Sequence, residues 1–242
     1  GNRAALEKAA GLEAGAAYPL REIEHRALTE AVKAHPEDAN ALNLLACLEY
    51  HMENHEKAEE LWSRAAKADP NAYMRNLAVA RYSHLNRRDE ALPLLDKALA
   101  LHPGDGQLVW EKAYLMTRLH CDPNETAAFV EKHGYEREDI AIELCRALNL
   151  AGRYEEALNI LLGKKFTPCE GGEHAVAEQY MFAHHALGRG LFADGQYEQA
   201  LEHFRAAQTL PENLGAGLWN EVLLVPHQYF EARCLEELGR GD

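Results

Sequence analysis

The residues best suited to chemistry lie in two irregular stretches, G-K-K-F-T-P-C-E-G-G-E-H over 163–174 and E-N-L-G-A-G-L-W-N-E-V-L-L-V-P over 212–226. Together they hold Phe166, Glu170, Glu173, His174, Asn213, Trp219, Asn220 and Glu221. Two carboxylates near an imidazole could share general acid–base work, although paired acids alone are weak evidence for it. Aromatics set among acids also suit a docking face, where buried rings dominate the contact energy. A plainer reading needs no ligand. Gly171-Gly172 turns the chain, Glu173 favours a helix N-terminus by its charge, and Trp219 plugs a gap between elements.

The thirteen histidines and five cysteines give little support for a metal. His51 and His55 are four apart with Glu53 between them, which is not the H-E-x-x-H order of a zinc protease. His184 and His185 are adjacent, so on a helix they point about 100° apart and cannot readily chelate together. His174 with Cys169, Glu170 and Glu173 follows no established ligand spacing. The glycines at 188, 190, 215 and 217 lack the strand before and the lysine after that a phosphate loop needs. No catalytic residue, cofactor or metal site is expected. The cysteines are odd in number with no C-x-x-C pair, so free thiols in a reducing cytoplasm are expected.

The elements that must position these stretches are legible in a repeat. Ala58, Ala91 and Ala157 stand 33 and then 66 residues apart, each inside the same fragment (H-E-K-A-E-E-L-W, R-D-E-A-L-P-L-L, Y-E-E-A-L-N-I-L), and Y-E-Q-A-L-E-H-F puts Ala200 in a fourth copy. A fixed period near 34 residues marks stacked helix pairs. In the clearest copy Leu42, Leu45, Ala46 and Leu48 line one helix and Ala58, Leu61, Trp62 and Ala65 the next. Both follow i, i+3, i+4 spacing, so each helix carries one apolar stripe. Ala46 and Ala58 let two backbones approach, and Pro70 stops the second helix.

These residues resemble the tetratricopeptide repeat family, whose motif runs bulky residue, Leu-Gly and Tyr on the first helix, then Ala, Phe, Ala and Pro on the second. The match reads Leu45-Ala46, Ala58, Trp62, Ala65, Pro70; then Tyr82, Ala91, Leu95, Ala98, Pro103; and later Leu187-Gly188, Ala200, Phe204, Ala207, Pro211. The resemblance implies an all-α, right-handed α-solenoid of about six to seven helix pairs forming a single domain over 1–242. Its units run approximately 2–36, 38–70, 71–103, 105–132, 136–163, 173–211 and an incomplete 225–242, with insertions at 163–174 and 212–226. The frame places Asn43, Tyr50, Tyr73, Asn76, Arg146, Arg189, Tyr229 and Arg233 on the groove side of the first helices. Asn43 and Asn76 could bond the backbone of an extended peptide, and the three arginines could form a basic line or simply pair with neighbouring acids.

Residues 160–240 further resemble the helical region of a bacterial family in which such repeats follow a β-sandwich similar to sugar-mutarotase folds. That resemblance implies the repeat part of a larger protein tied to carbohydrate metabolism. Gly1 as a tag remnant, and a stop at Gly241-Asp242 where a second helix would begin, lead to the expectation of an excised piece. The insertions are expected to leave one edge together and dock on an adjoining domain in cis or on a protein partner. Two alternatives stand beside this: a subdomain lending loop acids to a carbohydrate-active enzyme, and peptide binding in trans. A net charge of −14 disfavours nucleic acid, and no run of 18 apolar residues predicts a membrane span.

Overall fold

The computed structural model describes residues 3–10, 19–69, 74–167, 172–215 and 224–241. They form α1 (Arg3–Ala10), α2 (Glu22–Ala34), α3 (Ala39–His51), α4 (His55–Ala68), α5 (Met74–Ser83), α6 (Arg88–Leu101) and α7 (Gly106–Arg118). There follow α8 (Pro123–His133), α9 (Glu138–Leu150), α10 (Tyr154–Gly163), α11 (Glu173–Ala193), α12 (Tyr197–Ala206), a short 3-10 turn at Glu212–Leu214, and α13 (Val225–Glu237). No strand occurs among the described residues, in line with the all-α expectation. The chain clusters into two compact units, Gly1–Leu115 and Met116–Asp242, so the boundary falls inside α7 where a single domain was expected.

In the first unit each helix packs on its sequence neighbour from α2 through α6. The core is the stripe read from sequence: Leu42, Leu45 and Ala46 of α3 against Ala58, Leu61, Trp62 and Ala65 of α4, with Val32, Leu77 and Ala80 from either side. Ala46 and Ala58 are fully buried. A larger side chain at either would separate the backbones whose contact closes the pair.

The second unit repeats the plan over α8 to α13, again neighbour on neighbour, with α11 also touching α9. A close helix contact falls at Gly188, where an added Cβ would lie 2.9 Å from the Phe204 ring. Gly188 and Phe204 occupy the places that Ala46 and Trp62 hold in the first unit.

The turns inside the pairs share one device. A residue in left-handed conformation ends the first helix at Glu53, Asn86, His120, Gly152, Gly195 and Gly239. The amide after it reaches back five residues in five of these turns: Asn54 to the Glu49 carbonyl, Cys121 to Met116, Arg153 to Leu148, Gln196 to Leu191 and Arg240 to Leu235. Such reverse bonds satisfy carbonyls that the helix end leaves open.

Candidate binding surface

The groove residues expected in the first unit are brought together, but largely to bond one another. Asn43 Oδ1 accepts from the Trp62 indole N–H at 2.9 Å and from Asn76 Nδ2 at 3.3 Å. Its acceptor is therefore engaged before any peptide arrives. Tyr50 stands edge-on to His55 and His84, whose rings stack at 4.2 Å. Tyr73 lies outside the described residues.

Sequence reading missed two buried acids on the first helices of the first unit. Glu49 takes hydrogen bonds from His25 at 2.7 Å and Asn54 at 2.8 Å and an ion pair from Lys57 at 2.6 Å. Burial pushes its carboxyl up, yet the bonds from Lys57, His25 and Asn54 outweigh burial and hold it below the ordinary range. Glu111 is met by Arg75 at 2.9 Å and by the Tyr82 hydroxyl. Burial first, and then the bond to Glu111, push the Tyr82 phenol up. These acids tie successive helices together, and the nearby cations were the signal that could have found them.

The insertions are joined by a seam. The Phe166 amide donates to the Asn213 carbonyl at 2.7 Å, and Asn213 Nδ2 donates to the carbonyls of Leu161 (2.8 Å) and Lys164 (2.7 Å). Phe166 is 1% exposed, and Leu214 is fully buried. Phe166 was expected on an outer surface; it is instead core, because its backbone is pinned to the 3-10 turn and its ring has nowhere wet to go. Asn213 likewise spends both amide hydrogens inside the protein. Thr167 closes the other side by donating from its amide and its hydroxyl to Glu138 at 2.7 and 2.8 Å. His174 is exposed in the first turn of α11, and Glu173 begins that helix. Glu170, Trp219, Asn220 and Glu221 lie outside the described residues.

The arginines separate into two kinds. Arg146 pairs with Glu143 at 3.3 Å, and Arg233 with Glu236 at 3.1 Å and Glu237 at 3.5 Å. Arg189 instead lies over the Phe230 ring at 5.9 Å, with no acidic partner among the described residues. Beside it, between α11 and α13, opens a cleft of about 440 Å³ lined by Glu178, Gln179, Met181, Phe182, His185, Pro226 and His227. Phe182 in its lining is 48% exposed, and on α13 Val225 and Tyr229 are each 56% exposed.

Two histidine pairs hold α11 to its neighbours. His184 Nδ1 lies 2.9 Å from His203 Nδ1 on α12, and His185 Nδ1 lies 3.2 Å from His227 Nδ1 on α13. Burial, then the facing His203 and His227, lowers His184 to about 4. Burial, then His185, lowers His227 to about 4. Burial also lowers His185 and His203, with Arg189 adding to the effect on His185. Among the described residues no group of three or more His, Cys, Asp or Glu is arranged to hold a metal ion.

Tetratricopeptide repeat models match residues 25–73 and 44–106 in the first unit, and 140–162 and 181–206 in the second. Each match spans the small-residue contacts and turns described above. The chain belongs to the tetratricopeptide repeat family. The fold of this tetratricopeptide repeat protein is similar to that of YrrB, described as a repeat protein with an unusual peptide-binding site, at 19% identity and TM-score 0.60 over 85% of this chain and 99% of that one. A repeat protein from Parabacteroides merdae is similar at 13% identity and TM-score 0.53, over 85% and 90% of the two chains. A chain of the Naa15/Naa10 complex bound to HypK-THB is similar at 19% identity and TM-score 0.51, over 89% of this chain but 32% of that longer one.

Proposed function

We propose that this tetratricopeptide repeat protein is a non-catalytic interaction module that binds a segment of another protein in the cleft between α11 and α13. The observation that carries the reading is the cleft itself with Phe182 exposed in its lining, together with exposed Val225 and Tyr229 on the same helix α13 and an Arg189 one turn along α11 from His185 that has no acidic partner among the described residues. Exposed apolar groups rimmed by polar ones mark interaction sites more often than chance. The first-unit face is a weaker candidate because Asn43 and Asn76 bond each other. The peptide-binding site named for YrrB is consistent with such a role, at the level of fold.

The test is selection of displayed random peptides on the purified chain. Selected peptides are expected to lose tenfold or more in affinity on Phe182→Ala or Tyr229→Ala, and little on Asn43→Ala, in line with the usual cost of truncating a central interface residue. Peptides indifferent to both cleft variants, yet weakened by Asn43→Ala, would move the site to the first unit.

A second reading is favoured by the seam between Phe166 and Asn213. It presents the two insertions as one feature that docks on an adjoining domain in cis, in a protein linked to carbohydrate metabolism. The resemblance of residues 160–240 supports it. Association with the neighbouring region should then fail in Trp219→Ala while the stability of this chain is kept. The rival enzyme reading expects sugar turnover that Glu170→Gln or Glu173→Gln abolishes. Cys47, Cys121, Cys145 and Cys234 are free thiols, which supports a reducing, cytoplasmic location for the module.

A further inference from the structure

We propose that the α11–α13 cleft receives an acidic side chain of the partner segment next to its apolar anchor, and that this binding takes up a proton at the His185–His227 pair. The inference rests on the cleft being a docking site, and adds the chemistry of the occupant and its regulation.

The first support is the geometry of the pair. At 3.2 Å between the two Nδ1 atoms, one ring must donate and the other accept, so the neutral pair holds one bridging hydrogen. The donating ring then keeps a basic Nε2. A proton taken from solvent goes to that nitrogen and leaves the bridge intact, giving a singly charged imidazolium–imidazole pair. Nothing else needs to break.

The second support is charge. The chain carries −14, yet here Arg189 has no acidic partner among the described residues and lies close enough to oppose a charge on His185. Arg189 does not line the cleft but stands one helical turn from His185 and acts on its charge, so a carboxylate that enters at the pair, away from Glu178, lies within the field of Arg189. Phe182 and Met181 of the lining supply the apolar contact beside it.

The surrounding groups set the sign. On α11 these are Glu178, which lines the cleft, and His184, which is turned to His203 of α12. On α12 the ring against His185 is Phe204. On α13 Glu231 is taken by Arg205 at 2.8 Å and Gln208 at 2.7 Å. From α9, Asn149 bonds the Gln179 carbonyl and side chain, and from α10 Tyr154 stands near Phe182. Burial therefore holds His185 and His227 neutral at neutral pH, with Arg189 adding to the effect on His185 and His185 to that on His227. A bound carboxylate offsets that cost, so the complex binds a proton that the free protein does not.

The experiment titrates the full chain with four capped dipeptides, Phe-Glu, Glu-Phe, Phe-Gln and Gln-Phe, following amide and imidazole signals by NMR at about pH 7.5 and about pH 6. The Glu probes should bind at least about tenfold tighter than the Gln probes at the lower pH. Their Kd should fall as pH falls, by up to about tenfold per pH unit for one proton, and the His185 and His227 imidazoles should titrate at higher pH with a Glu probe bound. His227→Gln should flatten the pH dependence. Because His227 is buried, His185→Gln serves as a second variant, and the imidazole titration needs neither. Glu and Gln probes that bind the cleft alike, with Kd flat in pH, overturn this inference and leave the docking site standing. Probes of all four kinds that leave α11 and α13 unperturbed overturn both.

Discussion

Gly188 and the histidine pairs show how single side chains set the second unit's packing. An added Cβ at Gly188 would come 2.9 Å from Phe204, a fully buried ring held between α11 and α13 neighbours. Gly188→Val should therefore destabilise by about 2 kcal/mol through overpacking, and adding Phe204→Leu should recover part of the loss. Urea midpoints of the single and double variants check this; additive losses would show that the two residues do not share the contact. The histidines predict a pH dependence. His184 and His227 fall to about 4 in the folded chain from an ordinary 6.5, so the unfolded chain binds protons that the folded chain refuses. Stability from these pairs is full above about pH 6.5 and is lost as pH falls toward 4. Denaturation at several pH values should show that fall, with a shallower slope in His184→Gln. An unchanged slope would remove His184 from the linkage.

Among the elements, the turns inside the pairs are where local geometry and residue type disagree. Glycine fills the left-handed position at 152, 195 and 239, but Glu53 at φ 63° and Asn86 at φ 52° hold it in the first unit and His120 at φ 55° in the second. A Cβ there costs roughly 1 kcal/mol that glycine avoids. Glu53→Gly should thus raise the thermal midpoint, since Glu53 is exposed and the turn's reverse bond, Asn54 to Glu49, uses only backbone. Gly195→Ala should lower it by a similar amount. A fall in both variants would mean that the glutamate side chain contributes something the turn geometry does not. The seam of the insertions gives a second test at this scale. Asn213→Ala strips hydrogen bonds from the Leu161 and Lys164 carbonyls, and leaving buried acceptors unmet costs about 1–3 kcal/mol.

Across the molecule, helices that within each unit touch mainly their sequence neighbours should lose stability locally rather than everywhere. In Asn213→Ala, amide hydrogen exchange should quicken in α10 to α12 and stay unchanged in α3 to α5; a uniform rise across the chain would argue for one cooperative block. How much of this was legible follows from the range of each interaction. The helices, their buried stripes and the small residues at 46, 58 and 188 follow from the sequence, because 3.6-residue periodicity and a 33-residue frame are written locally. So was the tie between the two insertions, since both leave a second helix. The partners of individual polar groups were not. Adjacent histidines cannot chelate together because they point about 100° apart. That same offset sends His184 to α12 and His185 to α13 once the helices are packed. Phe166 reads as an exposed aromatic until the 3-10 turn covers it. Asn43 reads as a peptide contact until Trp62 and Asn76 fill its acceptor. By itself the sequence determined the repeat and its stripes, since short-range spacing encodes them; only tertiary packing decided which polar groups were consumed and which, like the His185–His227 pair, were left facing a cleft.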